Sequence, residues 1–372
     1  MNLRRARDAA IIPGLAIVLA LVFGSLIVIF SSPLIFGLDL TLPLVAYKAL
    51  VEGSFGSFGA VISTIVNAAP LILAGLAVGV AFKAGLFNIG AQGQFLTGGL
   101  AAAAVGAWLA HAPGPVAIPL ALVAAILVGS VYGAIPGFLK AYTGAHEVVT
   151  TIMLNYIALY IVAYVVTGPL RAVGATFART PDVGNASLPI LVGGNGHLGV
   201  LFAFVAIPLA WWLLYRSTIG FEIRTVGAGP DAARYAGMRP RLLIVVTMAF
   251  CGGLAGLAGA GEILGLTGFM PAGYSTNVGF DGITVALLGQ AHPIGIMFAG
   301  ILLGAMRAGA PLMQIEAGVP AQMVDVLQGA ILFFLTAEIL VRYLFRIRAK
   351  SAKVAELQTV ASSYGGQATP TQ

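Results

Sequence analysis

Long apolar runs alternate with short polar or glycine-rich stretches along this chain. The first run extends from Ile11 to Phe30, behind a cluster of arginines. A membrane-spanning helix takes about 20 apolar residues, so this run predicts an uncleaved span rather than a signal peptide, whose apolar core is shorter. Nine further runs lie at 61–82, 95–110, 115–139, 148–167, 198–215, 242–262, 281–291, 294–311 and 321–341. The pattern predicts an all-α polytopic membrane protein with about ten transmembrane helices, in which the short run at 281–291 is a broken or half-length span.

Composition supports a membrane protein. Of the 372 residues, 59% are hydrophobic and 9% are charged, and the mean hydropathy is +0.99. A soluble domain has about a quarter of its residues charged, and a disordered chain is poor in apolar residues, so both classes are excluded. The single cysteine, Cys251, lies in an apolar run and cannot form an intrachain disulfide.

The distribution of basic residues predicts an orientation. Lys and Arg accumulate in cytoplasmic loops. With the N-terminus in the cytoplasm and ten spans, 15 of the 19 basic residues fall on the cytoplasmic side. We therefore expect a multi-pass protein of the plasma or inner membrane, with a cytoplasmic N-terminus (1–10), a transmembrane domain (11–343) and a disordered cytoplasmic tail (344–372). Long outer segments are expected at 31–60 and 168–197. Five spans in each half would be compatible with an inverted 5+5 repeat, because an odd number of spans reverses orientation.

Amides cluster in the stretch FKAGLFNIGAQGQ, at membrane depth. Asn88 and Gln92 are four residues apart and would share a face of a helix, with Gln94 close by. Glycines at 85, 90 and 93 would let the helix break or let backbones approach each other. Two interpretations stay open. The amides line a translocation pathway, or they form hydrogen bonds between helices.

A second polar stripe lies in EVVTTIMLNY. Glu147, Thr151 and Asn155 are spaced at i, i+4 and i+8 on an otherwise apolar helix. Such a stripe faces protein or water rather than lipid. We expect Thr151 and Asn155 to line the pathway and Glu147 to be solvated near the cytoplasmic end, although a threonine hydroxyl also satisfies its own backbone.

Three ionisable residues lie in or near spans. Glu262 and Asp281 are expected near the outer surface, and Asp281 could instead cap the short 281–291 helix. Arg307 lies within a predicted span and needs a partner, which the sequence does not identify. Small residues four apart, such as Gly252, Gly256 and Ala260, indicate close helix packing.

The loop at 216–241 predicts a short cytoplasmic helix at Pro230–Ala236. Proline suits the first helical position and Gly237 suits a C-terminal stop. Two turns are too short to be stable alone, so the helix is expected to dock on a protein, with lipid headgroups as the alternative. The small Ala233 is expected on the docking surface. The residues expected to couple to a partner are Gly227, Pro230, Asp231, Ala232, Ala233, Arg234 and Gly237.

Enzymatic motifs are missing from the sequence. It contains no G-x-x-x-x-G-K-[ST] loop for ATP. The four histidines are scattered, without metal-ligand spacing, and no grouping of side chains indicates a catalytic nucleophile. We therefore expect neither an enzyme nor a bound cofactor or metal.

Four segments together resemble the permeases of ATP-binding cassette importers of the ribose/branched-chain amino-acid type, and within that group the nucleoside branch served by basic-membrane-protein-type lipoproteins. The segments are LFNIGAQGQF (86–95), EVVTTIMLNYIA (147–158), IRTVGAGPDAARYAGM (223–238) and GFDGITVALLGQAHPIG (279–295). The resemblance spans about residues 58–343.

The resemblance implies the partners and the cargo. ATP would bind to an ATPase subunit on a separate chain, which holds the coupling segment GAGPDAARYAG in a groove. A second, related permease would complete the pore as a heterodimer, and an extracytoplasmic binding protein would deliver a small polar solute, which the resemblance implies is a nucleoside. No nucleic acid is involved. The alternatives are a simple-sugar permease of the same architecture (ribose or galactose), or a proton-coupled secondary transporter that uses Glu147, Glu262 or Asp281. A channel fits poorly, because no filter-like repeated motif is present.

Overall fold

The protein is almost entirely helical. The structure, a computed structural model, describes residues 3–31, 40–274 and 276–337. Thirteen α-helices lie in these ranges: α1 Leu3–Ser31, α2 Leu42–Phe55, α3 Phe58–Lys83, α4 Ala91–Trp108, α5 Gly114–Phe138, α6 Glu147–Thr167, α7 Gly199–Arg216, α8 Thr218–Ala228, α9 Pro230–Tyr235, α10 Pro240–Glu262, α11 Val278–Leu288, α12 Pro293–Ala317 and α13 Met323–Thr336. Short π-helical turns, Leu139–Thr143 and Ile263–Thr267, extend α5 and α10. The strands are β1 Ile190–Val192 and β2 Gly196–His197, which form one antiparallel hairpin.

In the residues that the structure describes, all ten apolar runs form helices, which confirms the all-α membrane fold. Within the described ranges, seven helices are long and apolar enough to cross a membrane: α1, α3, α5, α6, α7, α10 and α12. The other three runs form α4, with 18 residues, and the shorter apolar helices α11 and α13. The expected break at 281–291 is present, since α11 has only 11 residues. The predicted tail at 344–372 lies outside the described residues.

Helix α2 was not predicted, because its sequence is mixed in polarity. We assigned 31–60 to an outer segment, yet residues 42–55 of it are helical. The exposed pair Lys48 and Glu52 lies on one side of α2. On the other side, the Ser54 hydroxyl donates a hydrogen bond to the Ala305 carbonyl at 2.5 Å, and Leu50 lies against Gly309 of α12. Helix α2 is therefore packed on the bundle rather than being a loop.

The second segment that we expect on the outer side, 168–197, is folded against the end of α10. The backbone amides of Thr180, Val183 and Leu188 donate hydrogen bonds to carbonyls in 264–270, at 2.8–2.9 Å. Burial lowers the pKa of His197, so this side chain is neutral at pH 7, and its Nδ1 accepts a hydrogen bond from the Gly199 amide. The segment thus covers one end of the bundle as an ordered cap.

Small residues allow the central helices to approach closely. Helix α3 is buried along most of its length. Gly304 and Gly300 of α12 lie on Ala68 and Ile72 of α3, and Gly256 of α10 lies on Gly98 of α4. Further contacts of this kind join α5 to α10, where Gly129 and Gly133 face Gly252. The predicted packing role of the glycine ridges is confirmed.

Two sets of helix–helix contacts in the bundle resemble each other. Helix α3 packs on α11 and α12, and α10 packs on α4 and α5. A five-helix repeat would map α3 onto α10, α4 onto α11 and α5 onto α12, and these two sets of contacts would then correspond to each other. The inverted 5+5 repeat itself stays a prediction.

Candidate functional site

The amide cluster forms a junction between α3 and α4. Residues 84–90 are not helical, and α4 begins only at Ala91. Asn88 and Gln92 therefore do not share a helix face, and that part of the prediction was wrong. The glycines explain the break, since Gly85 has a φ of +71°, a conformation that costs other residues energy. The predicted alternative, a broken helix, is what the structure contains.

The side-chain amides of Asn88 and Gln94 stabilise the junction by bonding to each other. The Asn88 Nδ2 donates to the Gln94 Oε1 at 3.1 Å, and the Gln94 Nε2 donates back to the Asn88 Oδ1 at 3.2 Å. The Gly90 amide also donates to the Asn88 Oδ1. Both side chains are buried. Asn88 thus takes the place of the helical hydrogen bonds that the break removes.

Gln92 connects the starts of two helices. Its Oε1 accepts a hydrogen bond from the Gly279 amide at 2.8 Å, and its Nε2 donates to the Thr276 carbonyl at 2.5 Å. Gly279 lies in the first turn of α11, so the N-termini of α4 and α11 meet at this side chain. The meeting point lies within the bundle, because nearby Gly282 packs on Ala74 of α3. Spacing in the sequence could not predict this contact, which joins residues 187 positions apart.

Helix α6 presents its polar stripe to the same junction. The Asn155 Oδ1 accepts a hydrogen bond from the Gly93 amide at 2.8 Å, and its Nδ2 donates to the Ile89 carbonyl at 3.0 Å. The Thr151 hydroxyl donates to the Glu147 carbonyl of its own helix. Asn88, Gln92, Gln94, Thr151 and Asn155 therefore all lie at one buried place, where α4, α6 and α11 meet. The hydrogen bonds of Gln92 and Asn155 join separate segments, whereas the Thr151 bond lies within α6. Contact of these residues with a transported solute stays a prediction.

Glu147 is buried, contrary to the expectation that it is solvated. Its carboxylate lies 2.9 Å from the Lys140 Nζ, and 1% of the side chain is exposed. A buried charge is costly unless it is paired, and the chain positions Lys140 by the π-helical turn that ends α5. The pair fixes the start of α6 to the end of α5.

Arg307 has a partner that the sequence could not identify. Its guanidinium pairs with the Asp281 carboxylate, 26 positions earlier, and both side chains are mostly buried. Glu262 lies close enough to Arg307 and to Tyr274 to interact with both electrostatically. The three ionisable residues singled out from the sequence thus form one cluster between α10, α11 and α12.

The loop at 216–241 contains the predicted short helix. Helix α9 begins at Pro230 and ends at Tyr235, one residue before the predicted end. Gly237 has a φ of +82°, which agrees with a glycine stop. Asp231, Ala232 and Arg234 are exposed, and 94% of Tyr235 is exposed. This surface is available to a partner.

Ala233 does not lie on the exposed surface, so that expectation was wrong. It is fully buried and packs with Val226 of α8 and Leu243 of α10. A short helix needs one side to hold it in place, and Ala233 is the residue that does so. Gly227 has a similar structural contact, since its backbone lies against Lys83, Ala84 and Gly85 at the end of α3.

The described residues contain no group of three or more His, Cys, Asp or Glu side chains that could hold a metal ion. His292 instead caps α12, where its Nδ1 accepts a hydrogen bond from the Ile294 amide. Burial and the nearby Lys83 lower its pKa.

Buried amides, a helix break inside the bundle and, within the described ranges, seven helices long enough to span a membrane define a polytopic membrane transport protein. The family model "Branched-chain amino acid transport system / permease component" matches residues 60–336. The chain belongs to this family of permeases and is a transport subunit, not an enzyme.

Relatives match nearly the whole chain. The guanosine ABC transporter permease NupP of Bacillus subtilis is 39% identical over 348 residues, which are 92% of this chain and 97% of that protein. The nucleoside permease NupB of Lactococcus lactis is 33% identical, over 93% of this chain and 95% of that protein. The glucose permease TsgB13 of Haloferax volcanii is 32% identical, over 81% of this chain and 82% of that protein. No solved structure matches the chain.

Proposed function

We propose that this protein is the membrane permease subunit of an ATP-binding cassette importer for nucleosides. The observation that carries the proposal is the 39% identity to a guanosine permease over nearly the full length of both proteins. A second nucleoside permease also matches over more than nine-tenths of the chain.

A simple-sugar importer is the second candidate. The glucose permease is 32% identical over four-fifths of the chain, and ribose permeases of Escherichia coli match about 28% of it. The nucleoside assignment is preferred because the nucleoside relatives match a larger part of the chain.

The energy would come from a separate ATPase subunit. Two observations support this partner. The sequence contains no P-loop, and α9 exposes Asp231, Arg234 and Tyr235 on a helix that is itself anchored through Ala233. In this proposal, the segment from Gly227 to Gly237 is the coupling element, and the chain binds no cofactor of its own.

A second permease and an extracytoplasmic binding protein would complete the importer. Relatives from one organism support a pair. Lactococcus lactis has both NupB and NupC, each named a nucleoside permease, and Haloferax volcanii has TsgB13 and TsgC13. The orientation proposed is that both termini lie in the cytoplasm. The five buried polar residues, Asn88, Gln92, Gln94, Thr151 and Asn155, would then border a central route.

Uptake measurements test the function. The chain is expressed with candidate ATPase, binding-protein and second-permease subunits from the same genome, in cells that lack nucleoside uptake. Labelled guanosine should accumulate, and unlabelled nucleosides, but not ribose or glucose, should compete. Competition by the sugar alone would support the second candidate. Uptake that persists without the ATPase and stops with a protonophore would instead indicate a secondary transporter.

A further inference from the structure

Helix α6 has two chemically different faces. One face, which includes Thr151, Asn155 and Val162, is buried against the bundle. The opposite face carries Tyr156, Tyr160 and Tyr164, whose exposed fractions are 58%, 70% and 73%, beside the exposed Met153 and Ile157. These tyrosines recur every four residues and so form one stripe along the helix.

Lipid alone does not explain the stripe. Membrane tyrosines concentrate at the headgroup level, where Tyr164 near the end of α6 could lie. Tyr156, however, is nine residues from the start of a 21-residue helix, about 14 Å along an axis of roughly 32 Å. Its hydroxyl is therefore near the middle of the span, where an unpaired hydroxyl is costly in hydrocarbon.

Neighbouring helices show how this chain builds a lipid-facing surface. On α5 the exposed large side chains are aliphatic from Val116 to Ile135 and end with Phe138. On α7 they are Leu201, Val205 and Leu209, with Trp212 near the end. Neither helix exposes a tyrosine within its length. The face of α6 differs from both.

The tyrosine hydroxyls of the stripe form no hydrogen bond with the residues that the structure describes. Tyrosines elsewhere in the bundle do. The Tyr132 hydroxyl of α5 donates to the Leu154 carbonyl at 2.6 Å, and the Tyr47 hydroxyl of α2 donates to the Leu21 carbonyl at 2.7 Å. The stripe thus offers three rings and three free hydroxyls to whatever lies beside α6.

We infer that Tyr156, Tyr160 and Tyr164 form an aromatic ladder that borders the translocation route and contacts the nucleobase of the solute. This inference rests on the proposed nucleoside import, adds the residues that select the cargo, and places the route on the exposed face of α6 instead of the buried face with Thr151 and Asn155. Successive rings rise by about 6 Å along the axis. Each ring stacks on a planar base regardless of its identity, while the hydroxyls bond to base edges or ribose. A simple sugar has no planar ring to stack, so the ladder favours nucleosides over sugars.

Cysteine labelling tests whether the ladder faces water. Cys251 is the only native cysteine and is buried, so Cys251→Ala gives a background for single cysteines in the assembled transporter. Tyr156→Cys and Tyr160→Cys should react with a charged, membrane-impermeant thiol reagent, and guanosine should slow the reaction. The matched control is Val131→Cys on α5, which is 66% exposed on the aliphatic face and should not react. Equal, negligible labelling at all three positions would overturn the inference.

Uptake tests the contact itself. Tyr156→Leu removes the ring and should reduce guanosine uptake about tenfold, the lower part of the range for base–aromatic stacking. Tyr156→Phe keeps the ring and should retain most of the uptake. Val131→Leu is the control and should transport normally. Normal guanosine uptake in Tyr156→Leu and in Tyr160→Leu would overturn the inference and leave nucleoside import standing. Protection of the introduced cysteines from labelling by sugars but not by guanosine would overturn both this inference and the proposed nucleoside import.

Discussion

Asn155 shows how one residue can bridge a break in a neighbouring helix. Asn155→Leu should destabilise the permease, because it leaves the Gly93 amide and the Ile89 carbonyl buried without partners, at about 1–3 kcal/mol each. The measurement is the fraction of purified transporter that stays monodisperse after heating. Asn67→Leu is the matched control, since the Asn67 amide bonds only to the Ser63 carbonyl of its own helix. Unchanged stability with lost uptake would favour a direct role of Asn155 in the pathway.

The pair of Arg307 and Asp281 makes a second prediction at this scale. Arg307→Leu leaves the carboxylate buried and unpaired, which costs about 3–5 kcal/mol, so the yield of folded transporter should fall. Arg307→Leu combined with Asp281→Asn removes both charges and should recover most of the yield. Lys48→Leu, in the exposed pair with Glu52, should change stability by less than about 1 kcal/mol. No rescue in the double variant would contradict a role based on charge pairing.

At the scale of elements, the apolar runs were sufficient to predict ten helices, because a helix that crosses lipid must be apolar over its whole length. They did not predict α2, whose Lys48 and Glu52 interrupt the pattern. The site was harder to predict. The residue types at the junction were singled out, but their partners, such as Gly279 for Gln92 and Asp281 for Arg307, depend on which helices are neighbours. Local spacing carries no information about such contacts.

We expect the ATPase to bind to the exposed side of α9. Arg234→Glu should reduce co-purification of the ATPase and ATP-driven uptake, because it reverses a charge on the proposed docking surface while the buried Ala233 still anchors the helix. Arg239→Glu is the control, since it makes the same charge change on an exposed residue beyond α9. Retention of the ATPase by Arg234→Glu and by Tyr235→Ala would contradict docking through α9.

The variant Ala233→Trp tests whether the buried Ala233 side chain holds α9 against α8 and α10. The larger ring does not fit between Val226 and Leu243, so this variant should lower the stability of the permease itself. Heating in detergent without the ATPase measures the effect. A loss of ATPase binding with unchanged permease stability would place Ala233 on the docking surface after all.

The whole molecule is predicted to place both termini in the cytoplasm. In the Cys251→Ala background, Ser362→Cys in the tail should be protected from an impermeant thiol reagent in intact cells and should react after the cells are opened. Val173→Cys in the outer segment is the positive control, because Val173 is fully exposed and should react in intact cells. Labelling of Ser362→Cys from outside would overturn the orientation.

The contact between Gly85 and Gly227 has a mechanical consequence. It joins α8 and α9 to the stretch that leads to Asn88 and the start of α4, and the contact is between two backbones. A side chain accommodates a small displacement by changing its rotamer, whereas two backbones in contact cannot. A tilt of α8 and α9 would therefore displace residues 84–90. The displacement would reach the place where α4, α6 and α11 meet.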